Sequence, residues 1–125
     1  MQNKNIKEIL NYFDSGNFNE AEKKAVTLLQ EFPNNFILCN LLGVILASQK
    51  KYNEAIEYFK KATQINPNLA QAYYNLGNVC RTLKDFQKAI NCYEKTIEID
   101  NDYSDAHKAL KELENFLEKT YRKIK

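Results

Sequence analysis

The 125-residue sequence predicts an all-α fold, a solenoid of about seven antiparallel helices. Three observations predict it. The chain matches itself at an offset of 34 residues, which pairs Leu42-Gly43 with Leu76-Gly77 and Phe59 with Tyr93. The same offset aligns Phe18, Tyr52 and Phe86, then Ala21, Ala55 and Ala89, and it pairs Pro33 with Pro67 and then Asn101. Within one period, "NLLGVILASQKKYNEAIEYFKKATQINPN" reads as two amphipathic helices, a short polar turn between them and a proline stop.

The helices follow in order. Repeat one spans 2–34. Its first helix carries the stripe Ile6, Ile9, Leu10 and Phe13. Aligning that stripe puts the helix one residue out of phase with Phe18 and Ala21. The turn Asp14-Ser15-Gly16-Asn17 is then expected to be one residue short. A terminal repeat is expected to be atypical, because it caps the stack.

Repeat two spans 36–68. Its second helix places Tyr52, Ala55, Ile56, Phe59, Ala62 and Ile65 on one face. Pro67 stops it, having no N–H to donate, and Asn66 before it is biased away from helical angles. Repeat three spans 70–102, with Asn101 in place of the proline. A last helix over 104–123 carries Ala106, Leu110, Leu113, Leu117 and Tyr121, with Ser104 and Asp105 as its N-cap region. Its other face, Lys108, Lys111, Glu112, Glu114, Asn115, Glu118 and Lys119, suits a solvated cap. Together these make one domain, 1–125.

Gly43 and Gly77 interrupt helices, where glycine costs about 1 kcal/mol relative to alanine. Close helix packing offsets that cost. Gly43 is expected to face Ala55, and Gly77 to face Ala89.

Composition narrows the function. A net charge of +2, with lysines and glutamates interleaved, argues against nucleic acid. No apolar run approaches the roughly 20 residues of a membrane span, and "MQNKNIKEIL" lacks the apolar core of a signal peptide. The cytoplasm is the expected location. Cys39, Cys80 and Cys92 have no metal-ligand spacing, and His107 stands alone, so no metal or cofactor is expected. The cysteines read as reduced thiols packed as small apolar residues. No phosphate loop or Cys–His pair is present. Glu20 with Glu22, and Asp100 with Asp102, read as helix-end or surface carboxylates. No catalytic residue is expected.

The residues Cys39, Leu42-Gly43, Leu46, Tyr52, Ala55, Phe59, Ala62 and Pro67 resemble the tetratricopeptide repeat. So do Tyr73, Leu76-Gly77, Cys80, Phe86, Ala89, Tyr93 and Thr96. Repeat one keeps only Phe18, Ala21 and Pro33. The resemblance covers about residues 3 to 101 and implies a right-handed superhelix whose first helices line a concave groove. It places Lys7, Asn11 and Asp14 in that groove, then Ile37, Asn40, Val44 and Ala47, then Gln71, Tyr74, Asn75, Asn78 and Arg81, and finally Lys108 and Glu112. The asparagines suit a peptide backbone, since each donates and accepts. Tyr74 suits an interface anchor, and Ile37 and Val44 read as exposed apolar spots.

Two subtypes of the family bear on the ligand. Chaperone-binding repeats hold a C-terminal carboxylate with lysines, asparagines and an arginine. Lys7 and Asn11 have the spacing of the first pair, but Leu41, Gln71 and Asn75 stand where that clamp needs asparagine, lysine and arginine. A neutral amide does not replace a bidentate cation, so the clamp is read as absent. "YYNLGNV" is similar to repeat units of protein O-linked N-acetylglucosamine transferases, which hold peptide backbone with asparagines.

The expected function is a non-catalytic adaptor for a protein or peptide partner. Two alternatives stand beside it. One is a recognition module for a separate or fused enzyme such as a glycosyltransferase. The other is a self-association unit pairing through the terminal helices.

Overall fold

The computed structural model describes residues 2–124, with side chains from Lys4 onward; the outer domain bounds 1 and 125 lie outside the described residues. Seven helices occur among them: α1 (Gln2–Asp14), α2 (Phe18–Glu31), α3 (Phe36–Ser48), α4 (Tyr52–Ile65), α5 (Ala70–Thr82), α6 (Phe86–Ile99) and α7 (Ser104–Ile124). No strand occurs in the described residues. The fold class is an all-α helical-repeat solenoid. The chain divides into two compact units, Met1–Pro67 and Asn68–Lys125.

Each hairpin has the same form. Helices of 13 and 14 residues flank a three-residue turn, at 15–17, 49–51 and 83–85. The middle turn residue is left-handed each time: Gly16 at φ 81°, Lys50 at φ 63° and Lys84 at φ 66°. The closing backbone bonds match as well. Asn17 N–H donates to Tyr12 at 2.8 Å, Lys51 to Leu46 at 2.9 Å and Asp85 to Cys80 at 2.8 Å. These six-to-one bonds satisfy carbonyls left open at a helix end. Repeat one is therefore in phase, and its turn is not short. The expectation failed because its apolar stripe differs from the repeat pattern. Ile9 is fully buried, whereas Leu10 is 39% exposed, and Phe13 leaves the stripe to pack its ring at a tilt against Phe18 at 5.3 Å.

The helix ends are local chemistry. Asn35 caps α3 by accepting from the Leu38 N–H at 3.1 Å. α4 stops at Ile65, and Asn66 is extended before Pro67. α6 stops in the same register without a proline. There the Asp100 carboxylate accepts from the Asp102 N–H at 3.0 Å, and this local turn takes the proline's place.

The interior glycines contact aromatics rather than alanines. A Cβ on Gly43 meets the Phe59 ring at 2.5 Å, and one on Gly77 meets the Tyr93 ring at 2.8 Å and the Cys92 Cβ at 3.1 Å. Gly43 and Gly77 thus do not face Ala55 and Ala89 as their nearest neighbours. Each makes room for the ring one turn further along the second helix. Ala21, Ala55 and Ala89 are all fully buried. In repeat one the same positions hold Ile9 and Ala25, both buried, so the large residue has moved to the first helix.

In the first unit, Glu22 of α2 accepts from Gln49 Nε2 at 2.7 Å and from Lys51 Nζ at 3.1 Å, tying α2 to the α3–α4 turn. In the second unit, Cys80, Ala89, Tyr93, Ala109 and Leu113 form the core, with Leu110 and Leu117 against it. α7 covers α6 as far as Phe116 and Leu117, with the Phe116 ring tilted against Phe86, the first residue of α6, at 5.6 Å. Tyr121 lies past that point and is 63% exposed, so it does not join the stripe; Ala109 does. Among the described residues no cysteine forms a disulfide. Burial, with Cys80 beside it, pushes the Cys92 thiol up to about 12, which makes it a poor thiolate source.

Candidate functional site

The second unit contains a cleft of about 230 Å³ lined by Tyr74, Asn78, Arg81, Asp105, Lys108, Ala109 and Glu112. Five of these residues were anticipated. Asp105 and Ala109 are additions: Asp105 reads as part of an N-cap in the sequence, and Ala109 falls outside both the apolar stripe and the polar face. Tyr74, Asn78 and Arg81 recur at spacings of four and three along α5, and Asp105, Lys108 and Glu112 at three and four along α7, so each set shares one face.

Tyr74 is held by two other rings. Its centroid lies 5.9 Å from Tyr93 and 5.2 Å from Tyr103, both tilted. Aromatic pairs at these separations prefer such tilted or offset geometries. Behind it, the Tyr93 hydroxyl donates to Asn78 Oδ1 at 2.7 Å. Burial raises the Tyr93 pKa, while the nearby Arg81 guanidinium works in the opposite direction. Burial also raises Tyr103. Both phenols therefore stay neutral at physiological pH. Arg81 pairs loosely with Glu112 at 3.7 Å, and the partners are 35% and 52% exposed. An exposed pair of this kind contributes little to stability, which leaves both charges able to meet a ligand.

The remaining anticipated residues divide. Ile37 is exposed as expected, at 53%. Val44, Ala47 and Asn75 are half-buried, and Gln71 is exposed. Asn40 is 8% exposed and already partnered, so it is a core polar group rather than a surface donor. α3 is apolar on nearly every face, which hid the burial of its one asparagine. Lys7, Asn11 and Asp14 are exposed, but they belong to the shifted register. The 34-residue period instead places Ile6, Leu10 and Phe13 in line with Asn40, Val44 and Ala47. The first pair of a carboxylate clamp moves off Lys7 and Asn11 by the same step.

The first unit has its own cleft, about 280 Å³, lined by Asn5, Glu8, Ile9, Lys23, Lys24, Thr27, Leu28 and Glu31. It contains none of the anticipated residues. Glu8 and Lys24 pair across it at 2.7 Å, and the hydrogen bond to Glu8 raises the Lys24 pKa. Glu8 stands where repeat two has the buried Leu42, which makes this face polar. Among the described residues no cluster of three or more His, Cys, Asp or Glu is placed to hold a metal ion. No described helix is long and apolar enough to cross a membrane.

Comparison with known proteins agrees with this architecture. RNA polymerase II-associated protein 3 of Xenopus tropicalis is 32% identical over 108 residues, which cover 86% of this chain and 16% of that protein. The UDP-N-acetylglucosamine–peptide N-acetylglucosaminyltransferase of Caenorhabditis elegans is 36% identical over 77 residues, covering 62% of this chain and 7% of the enzyme. The matched segments are thus small parts of both relatives. In structure, the chain is similar to the first tetratricopeptide-repeat domain of Spaghetti bound to the HSP90 peptide SRMEEVD. The TM-score is 0.88 at 21% identity, with 93% of this chain and 92% of that one covered. That likeness is one of fold. The family model described as tetratricopeptide repeat matches residues 35–102, more than half of the sequence. The chain belongs to the tetratricopeptide-repeat family.

Proposed function

We propose that the chain is a non-catalytic adaptor that binds an extended peptide or partner helix at the first-helix face of its third repeat. The observation that carries this is the α5–α7 cleft, where a fixed aromatic, an amide and four charged side chains converge. Aromatic and arginine groups in a concavity are the usual anchors of a peptide interface. The solved relative with a bound HSP90 peptide supports a peptide as the class of partner. The carboxylate clamp is not part of the proposal, because Gln71 and Asn75 are neutral and Ile6 and Leu10 hold the positions of its first pair.

A random-peptide display selection tests this. Enriched peptides should bind the wild type and lose about tenfold in affinity on Asn78→Ala with Lys108→Ala, while both proteins melt at similar temperatures. Equal binding by both would place the contact elsewhere. A second reading is a recognition module of a glycosyltransferase. The identity with the C. elegans enzyme favours it. It predicts that adding the chain changes the glycosylation rate of peptides that bind it.

A further inference from the structure

The side chains at two register positions change together along the chain. The second-helix position is Ala25, Phe59 and Tyr93 in successive repeats; Tyr93 meets Asn78 of the first helix, and the 34-residue register matches Asn78 with Leu10 and Val44 in repeats one and two. Where the ring has no hydroxyl, the matched residue is apolar. Where the ring has one, the matched residue is an amide that accepts it at 2.7 Å. Tyr93 is itself fully buried, with its ring over Gly77.

The direction of that bond has consequences. Arg81 also lies beside the Tyr93 oxygen and offers only donors. The phenol hydrogen is therefore directed to Asn78 Oδ1. With Oδ1 turned to Tyr93, the Nδ2 end of the amide is turned away from it, and Asn78 lines the cleft. Arg81 and Lys108 line the same cleft and are donors as well.

The geometry points to Tyr93 as a positioning residue that holds the Asn78 amide with its NH2 toward the cleft, so that the cleft selects a hydrogen-bond acceptor on the ligand, a peptide carbonyl or a carboxylate oxygen. This rests on the peptide-binding reading above. It narrows that reading, since an asparagine free to rotate would serve donors and acceptors equally. It also confines polar recognition of this kind to repeat three, because Val44 and Leu10 cannot supply it.

Nuclear magnetic resonance of the side-chain amides, with three small probes, tests the inference. Acetate and N-methylacetamide are acceptor probes, and guanidinium is a donor probe. In the wild type the acceptors should shift the Asn78 NH2 signals saturably, and guanidinium should not. A larger response to acetate identifies the carboxylate source; a larger response to N-methylacetamide identifies the peptide carbonyl. Tyr93→Phe should weaken acceptor binding roughly fivefold, the scale of one hydrogen bond. Phe59 occupies the same register position in repeat two, so phenylalanine fits there. Asn78→Asp is a second variant, followed at the Arg81 side chain. It keeps an acceptor for Tyr93 and removes the NH2, so acetate binding should be lost.

Unchanged acceptor affinity in either variant, or a stronger response to guanidinium than to both acceptors, would overturn the inference. Display-selected peptides that bind wild type and Tyr93→Phe equally would overturn it while leaving the adaptor reading in place. An absence of selected peptides, with Tyr93-dependent acetate binding intact, would remove the adaptor reading alone.

Discussion

The α1–α2 and α5–α6 hairpins have equal helix lengths and the same left-handed turn, yet they fill the space between their helices in opposite ways. α5 contributes a glycine and α6 a tyrosine, with the ring 2.8 Å from where a Cβ would sit. α1 contributes isoleucine and α2 alanine, at 0% and 1% exposure. α3–α4 follows the glycine–aromatic arrangement, with Phe59. The quantity kept constant is the filled space between the helices, and either helix can supply it. Interiors packed like organic crystals demand this, because both voids and overlaps are unfavourable. The exchange also alters the neighbouring surface. A tyrosine on the second helix brings a hydroxyl that must be satisfied, and with it Asn78. An alanine brings nothing, and Leu10 stands exposed.

The largest effects should come from breaking that packing. Phe59→Ala should destabilise the protein by about 3–5 kcal/mol. Gly43→Ile should cost roughly 3 kcal/mol, since the new side chain enters a fully buried ring. Urea unfolding curves measure both. Smaller effects should separate the two aromatic positions. Phe59→Tyr buries a hydroxyl in a repeat that has Val44 at the register position of Asn78 and should cost about 1–3 kcal/mol, whereas Tyr93→Phe removes one satisfied bond at about 1 kcal/mol. Equal losses would mean that the Asn78 contact contributes nothing specific.

The turns sharpen the comparison further. Gly16 suits its positive φ, while Lys50 and Lys84 adopt the same conformation with a side chain. Lys84→Gly should raise stability by about 0.5–1 kcal/mol, and Gly16→Ala should lower it by about 1 kcal/mol.

The smallest effect is electrostatic. The Gln49 hydrogen bond, helped by Lys51, outweighs burial and holds the Glu22 carboxyl below the ordinary carboxylate range. A depressed folded-state pKa stabilises above the unfolded value and is lost as pH falls through the folded one. Glu22→Gln should therefore cost a few tenths of a kcal/mol at neutral pH. The difference from wild type should vanish in acid, below the folded pKa.

Much of this was legible in the sequence because Leu42-Gly43 and Leu76-Gly77 mark the period and the helix breakers keep the same phase. Repeat one hid its register because Ile9 replaces the glycine, and Ile6, Leu10 and Phe13 around it imitate a different stripe. The equal spacing from Gly16 to Phe18, Lys50 to Tyr52 and Lys84 to Phe86 carried the correct phase. The stripe of α7 ran on to Tyr121 because periodicity cannot show where α6 begins. The cleft was half legible. One-dimensional spacing put Tyr74, Asn78 and Arg81 on one face, but Tyr93 enters through a contact across 15 residues, which only the packed hairpin reveals.

The most direct test of the exchange is a double-mutant cycle that gives repeat two the pairing of repeat one: Gly43→Ile, Phe59→Ala and the two combined, each measured by urea denaturation. If the filled space is what matters, the double variant should recover at least about 2 kcal/mol relative to the sum of the single losses. Losses that simply add would contradict the account, and would mean that glycine and ring contribute independently of one another.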